Sequence, residues 1–165
     1  MKKIIFLLIT LSLAGFAFGQ SALRTKMTVD QRTNYSKALS AYEHSELNTL
    51  VNAGTAITIF LPNDFAMSQL PETEANGLSN KNQSTLAQFA KTYSVLGAFS
   101  SAKLMNDIKA SPGGLKVQGR NNQQFTFLEN PPYILINVDD KVESNIEATI
   151  LINKAVIHLV SGLLK

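Results

Sequence analysis

Cysteine is absent from all 165 residues. That excludes thiolate nucleophiles, thiol redox chemistry and every cysteine-based metal site, and leaves the fold to hold by packing without disulfides. Histidine is scarce, with only His44 and His158. No His, Asp or Glu pair stands at a metal-site spacing, so the sequence calls for no metal and no cofactor. No serine sits in a GxSxG elbow, which removes the simplest nucleophile signature. A strong charge of one sign is also missing. Fifteen basic residues face twelve acidic ones. Two of the basic residues, Lys2 and Lys3, belong to an N-terminal leader, and without them the net charge is only +1. Nothing here supplies the basic field that nucleic-acid binding needs.

What is present begins with that leader. Lys2 and Lys3 precede an apolar run from Ile4 to Phe18, and Ala17 and Gly19 place small residues before Gln20. This reads as a secretory signal peptide cut after Gly19, of bacterial appearance. The run is short for a bilayer crossing, which takes about 20 residues. No cysteine follows the cut to carry a lipoprotein anchor. The plan is therefore residues 1–19 as signal peptide, 20–33 as a lead-in and 34–165 as one domain. A chain of 146 residues remains, enough for a core of its own.

Periodicity sorts the domain into helices first and strands later. The lead-in reads as a strand or loose arm. Tyr35, Leu39, Tyr42, Leu47 and Leu50 mark a helical face with a break near Ser45. Thr58 to Pro62 (TIFLP) reads as a strand. A short helix follows, capped by Asn63 or Asp64, with Phe65, Ala66, Met67 and Leu70 turned inward. Glu72 to Ser84 reads as a polar loop. Ser84 or Thr85 caps the next helix, and Ser101 opens another bearing Leu104 and Ile108. Beyond Pro112-Gly113-Gly114 the period falls to two. Strands are expected at Leu115–Val117, Phe125–Phe127, Tyr133–Val138, Val142–Ile146, Thr149–Leu151 and Val156–Val160. Asp139-Asp140 forms a hairpin tip. The last strand, AVIHLV, leaves almost no tail, so it closes the core, and TIFLP is its natural neighbour.

Candidate chemistry is thin. His44 reads as a solvated helix residue. His158 lies in the most apolar strand and reads as a core histidine needing a partner on each nitrogen, with Tyr93 or a backbone carbonyl as candidates. Asp139, Asp140 and Glu143 cluster at a turn without the spacing of a calcium loop. Asp64 with Glu72 or Glu74 makes no more than a nominal carboxylate pair. Two stretches, Glu72 to Ser84 and Asn121 to Gln124, are rich in Asn, Gln, Ser and Thr, a composition suited to contacting proteins or glycans as well as to plain loops.

Three strings in order then carry a resemblance. TIFLPNDFAMSQL at Thr58–Leu70 is similar to the first motif of the fasciclin (FAS1) domain family, with Thr58, Phe60, Pro62 and Asp64 at family positions. TYSVLG at Thr92–Gly97 is similar to the second, with Tyr93 at the family's His position, Leu96 at its Pro position and Gly97 retained. KAVIHLVSGLLK at Lys154–Lys165 is similar to the third, through Ile157 and His158 among others. The chain thus resembles a secreted bacterial single-domain member. The resemblance implies an α/β fold: a wedge-shaped β-sandwich decorated with several short helices. It implies a structural role for His158 and no enzymatic activity. It implies a secreted or periplasmic, cell-envelope binding module for cell adhesion or the extracellular matrix, with an extracellular protein or glycan as partner and no stable membrane insertion. The second motif points to Tyr93 and Leu96 as contacts. A small-ligand or stress-related envelope protein, with Phe65, Met67, Phe89 and Tyr93 lining an apolar pocket, is the first alternative. A hydrolase is the second.

The leader makes a direct prediction. The intact mass and N-terminal sequence of the protein recovered from an expressing cell's envelope or medium should begin at Gln20. A chain that retains Met1 in that fraction would contradict the cleavage.

Overall fold

The computed structural model describes residues 21–165, leaving aside the side chains of Val142 and Glu143. The signal peptide expected at 1–19 lies outside the described residues. Eight helices and seven strands are described in this range.

The lead-in is helical and docked. Helices α1 (Ala22–Lys26) and α2 (Val29–Asn34) replace the expected strand or arm. The signal was a capping box: Thr28 accepts from the Gln31 amide while the Gln31 side chain accepts from the Thr28 amide. Leu23 and Met27 are buried. Arg24 clamps Glu43 through two hydrogen bonds of 2.8 and 2.7 Å, and Ser21 adds a third at 2.6 Å. Burial opposes the Glu43 charge, but these bonds and the neighbouring cations outweigh it and hold the carboxyl below its ordinary value.

Helices α3 (Ser36–His44) and α4 (Glu46–Asn52) are split at Ser45, which caps α4 by accepting from Leu47 N. Strand β1 (Ile57–Pro62) is buried throughout. It is followed by α5 (Asp64–Met67), capped by Asn63, which accepts from Ala66 N at 2.8 Å. Phe65 faces outward, 75% exposed, because a four-residue helix turns only one side to the core, here Ala66 and Met67. Most of the expected loop is helix α6 (Glu72–Ser79). Pro71 precedes it, and Glu72 and Glu74 suit its first turn electrostatically. Only Leu78 is buried, so the helix reads as polar in sequence. Asn82, not Ser84 or Thr85, caps α7 (Gln83–Thr92). Strand β2 (Ser94–Leu96) and helix α8 (Ser101–Lys109) follow.

Strands β3 (Leu115–Gln118), β4 (Gln124–Asn130), β5 (Tyr133–Val138), β6 (Val142–Ile152) and β7 (Ala155–Val160) complete the chain. The two strands expected around Ile146 and Thr149 are one, β6, with a register shift between Ile146 and Ala148. Asp139 and Asp140, both at positive φ, turn β5 into β6 as the sequence indicated.

The strand order is β2-β1-β7-β6-β5-β4-β3. As expected, β1 and β7 lie side by side, in parallel, with Thr58 opposite Val156 and Phe60 opposite His158. β1 and β4 stand four places apart, about 19 Å in a flat sheet. Yet the rings of Phe60 and Phe125 are 5.1 Å apart. The sheet therefore folds across its middle, and its two halves face each other over an aromatic core of Phe60, Phe125 and Phe127. The β3–β4 turn locks onto the β2 end, where Gln123 donates to Thr92 O at 2.6 Å and Arg120 N to Ser94 O at 3.3 Å. On the other face of β1, Ile57, Ile59 and Leu61 are buried on the side of α3 and α4.

Candidate functional site

Strand β1 and strand β7 bring the first and third motifs together, and the segment Gly97–Ser101 completes the site. His158 is fully buried. Its Nε2 lies 2.8 Å from the carbonyl oxygen of Phe99. A carbonyl only accepts, so Nε2 carries the proton. Nδ1 must then accept, and the Thr149 hydroxyl, 2.9 Å away, donates to it. The Ser101 hydroxyl in turn donates to Thr149 at 2.6 Å. The expected backbone partner is present, while the other nitrogen finds Thr149 rather than Tyr93. Neither Thr149 nor Ser101 carried a signal beyond strand and helix start, since their pairing depends on a fold that joins positions 48 residues apart.

Thr58 anchors the same segment from β1. Its hydroxyl donates to Gly97 O at 2.8 Å and accepts from Phe99 N at 2.9 Å. Gly97 N donates to Ala56 O at 2.9 Å. Gly97 is held at φ +104°, and a Cβ there would come within 2.9 Å of the Phe99 ring, so only glycine fits. Phe60 stacks on the His158 ring at 5.7 Å. Pro62 ends β1 opposite Val160. Ile157, also fully buried, lies opposite Ile59 and Ile150.

Asp64 serves a different junction. Its carboxylate accepts from the Lys37 amide at 2.9 Å and from the Ser36 hydroxyl at 2.5 Å, supplying the cap that Tyr35 does not give α3. Glu74, its nominal carboxylate partner, is paired with Lys165. His44 is exposed and bonds the Ser40 carbonyl of its own helix.

The two expected contact residues separate. Tyr93 is 1% exposed, its ring packed 4.7 Å from Phe89, and burial raises its hydroxyl above the ordinary tyrosine range. Leu96 is 65% exposed at the end of β2, directly before the anchored Gly97. The four residues expected to line an apolar pocket also disperse. Met67 lines a cleft beside α3, Phe65 is on the surface, and Phe89 and Tyr93 are core.

The geometry holds a loop and presents it. Both nitrogens of His158 are committed, to the Phe99 carbonyl and the Thr149 hydroxyl. The family model of the Fasciclin domain matches residues 33–165. The chain belongs to the fasciclin family. Fasciclin domains are in general non-catalytic modules of the adhesion type. The fold agrees with a solved FAS1 domain pair from the insect cell adhesion molecule Fasciclin I, with a TM-score of 0.62 at 14% identity. That match covers 79% of this chain and 47% of the other, so this chain spans about half the length of the pair. No curated protein matches the sequence. Among the described residues, no helix is long and apolar enough to cross a membrane.

Burial lowers the His158 pKa to about 4, with the Phe99 bond only partly opposing it. In the unfolded chain the value is about 6.5. The unfolded state thus takes up the proton first, and the stability tied to neutral His158 is complete above about pH 6.5 and lost as pH falls toward 4. Urea unfolding should show a loss of about 2 kcal/mol between pH 7 and pH 5 from this group. His158→Phe should cost roughly 2–4 kcal/mol at pH 7, by leaving Phe99 O without its donor and the Thr149 hydroxyl without its acceptor, and should flatten that slope. An unchanged slope in the variant would assign the pH dependence elsewhere.

Proposed function

We propose that this protein is a secreted or periplasmic adhesion module of the cell envelope or extracellular matrix, and that Leu96 is its principal contact with an extracellular protein or glycan. The observation that carries this reading is the pairing of an exposed apolar side chain with a rigid backbone. Leu96 is 65% exposed, and the residues just after it are fixed by Thr58, Ala56 and His158. An exposed leucine on a mobile loop loses part of its binding energy to ordering. One on an anchored strand end does not. Tyr93 contributes from beneath, as the packed residue that fixes the start of β2. Family membership supports adhesion over catalysis, and the leader supports export. A single contact of this kind is weak, so firm adhesion through it draws on several copies at a surface.

The test is capture from envelope and matrix fractions of an expressing organism on the immobilised protein. Leu96→Asp should lower capture of the specific partner by at least about tenfold, the loss expected when a central apolar contact is removed. Leu151→Asp, at another exposed leucine (59% exposed), should leave capture unchanged. Equal capture by wild type and Leu96→Asp would move the contact away from this segment.

A further inference from the structure

A cleft of about 490 Å³ opens between α3, α5 and α6, on elements separate from the Leu96 segment. That volume falls within the range of small-molecule sites, roughly 300–1,000 Å³. Its floor is apolar: Met67, Leu70 and Leu78, each less than a tenth exposed, with Ala75 beside them. Its rim is made of hydroxyls and one ammonium. Two of the hydroxyls are occupied, Ser36 by the Asp64 carboxylate and Ser68 by the Phe65 carbonyl. The side chains of Lys37, Ser40 and Ser79 also line the cleft, and among the described residues none has a hydrogen-bond or ion-pair partner. No carboxylate is among the lining residues, and the Asp64 carboxylate is engaged at the start of α3.

Donors without acceptors over an apolar floor specify a complementary ligand. Its head must accept hydrogen bonds and carry negative charge to match Lys37. A carboxylate does both, with two oxygens and about four lone-pair sites. Its body must be apolar to cover Met67, Leu70 and Leu78. A cation would face Lys37, and a purely polar solute would leave the floor wet. We infer that this cleft binds a small amphipathic anion, a carboxylate head on a medium-length apolar body, with Lys37, Ser40 and Ser79 at the head. The inference does not depend on the adhesive reading. Loss of function at Leu96 leaves this cleft intact, and the reverse also holds.

The probes are sodium octanoate, 1-octanol and octylammonium, each titrated to about 3 mM into ¹⁵N-labelled protein and followed by amide shifts, a range that detects millimolar affinity. Octanoate should shift the amides of Lys37, Ser40, Ala75 and Ser79. Octanol should act at the same amides about tenfold more weakly, having lost the charge-assisted bonds. Octylammonium should be weaker still. Lys37→Met, a change at an exposed position, should bring octanoate down to the affinity of octanol and leave octanol itself unchanged. Ala75→Leu, which fills the floor, should remove both. Absence of shifts at these amides with octanoate, equal binding of acid and amine, or an unaltered octanoate affinity in Lys37→Met would each overturn the assignment. Should Ala75→Leu fail to fold, the Lys37→Met comparison decides alone.

Discussion

A buried imidazole must satisfy two nitrogens at once, and in this protein the partners come from different parts of the chain. Phe99 O belongs to the segment after β2, and Thr149 belongs to β6. His158 itself sits in β7, beside Phe60 of β1. One ring thus ties two neighbouring strands to a segment that carries no regular structure of its own. Leaving either partner unpaired in the interior costs about 1–3 kcal/mol. Against a total stability of roughly 5–15 kcal/mol for a domain, that is enough to select this arrangement over a loosely packed one. Thr58 repeats the device from the other side, with one hydroxyl that both gives and receives.

The consequence is a division of labour between inside and outside. The aromatic stack of Phe60, Phe125 and Phe127 holds the two halves of the folded sheet together without reference to any partner. The hydrogen-bonded network then fixes the backbone from Gly97 to Phe99. Leu96 and Ala98 remain exposed on that fixed backbone. The His158 ring is held neutral by burial and by two fixed bonds. The network is therefore a brace, consistent with a domain whose family works by adhesion.

How much of this was readable in the sequence depends on the range over which each feature is determined. Period-two alternation located β3, β4 and β5, and the β-branched run located β7, because these patterns are local. The fold family was legible through three motifs, since the residues that build the β1–β7 junction are contiguous strings. The core position of His158 followed from its apolar neighbours. Its partner Thr149 did not, since the pairing exists only after β6 and β7 align. Helix α6 was hidden because a surface helix buries little and so shows no apolar stripe. The N-terminal helices have a local signal, the capping box at Thr28 and Gln31, but it stands in a mixed composition with no apolar stripe. Tyr93 and Leu96 are three residues apart in one motif, yet one is core and the other surface. Their separation is set by the change from helix α7 to strand β2 between them, which motif similarity alone does not reveal.

His158 is a neutral, Nε2-protonated brace. Long-range ¹H–¹⁵N spectra of the histidine rings test it most directly, because protonated and acceptor ring nitrogens resonate apart. One ring should show a protonated Nε2 and an accepting Nδ1, in a pattern that stays constant from pH 7 down to about pH 5. A His158 ring that shows the opposite tautomer, or that titrates near its unperturbed value of about 6.5, would contradict it.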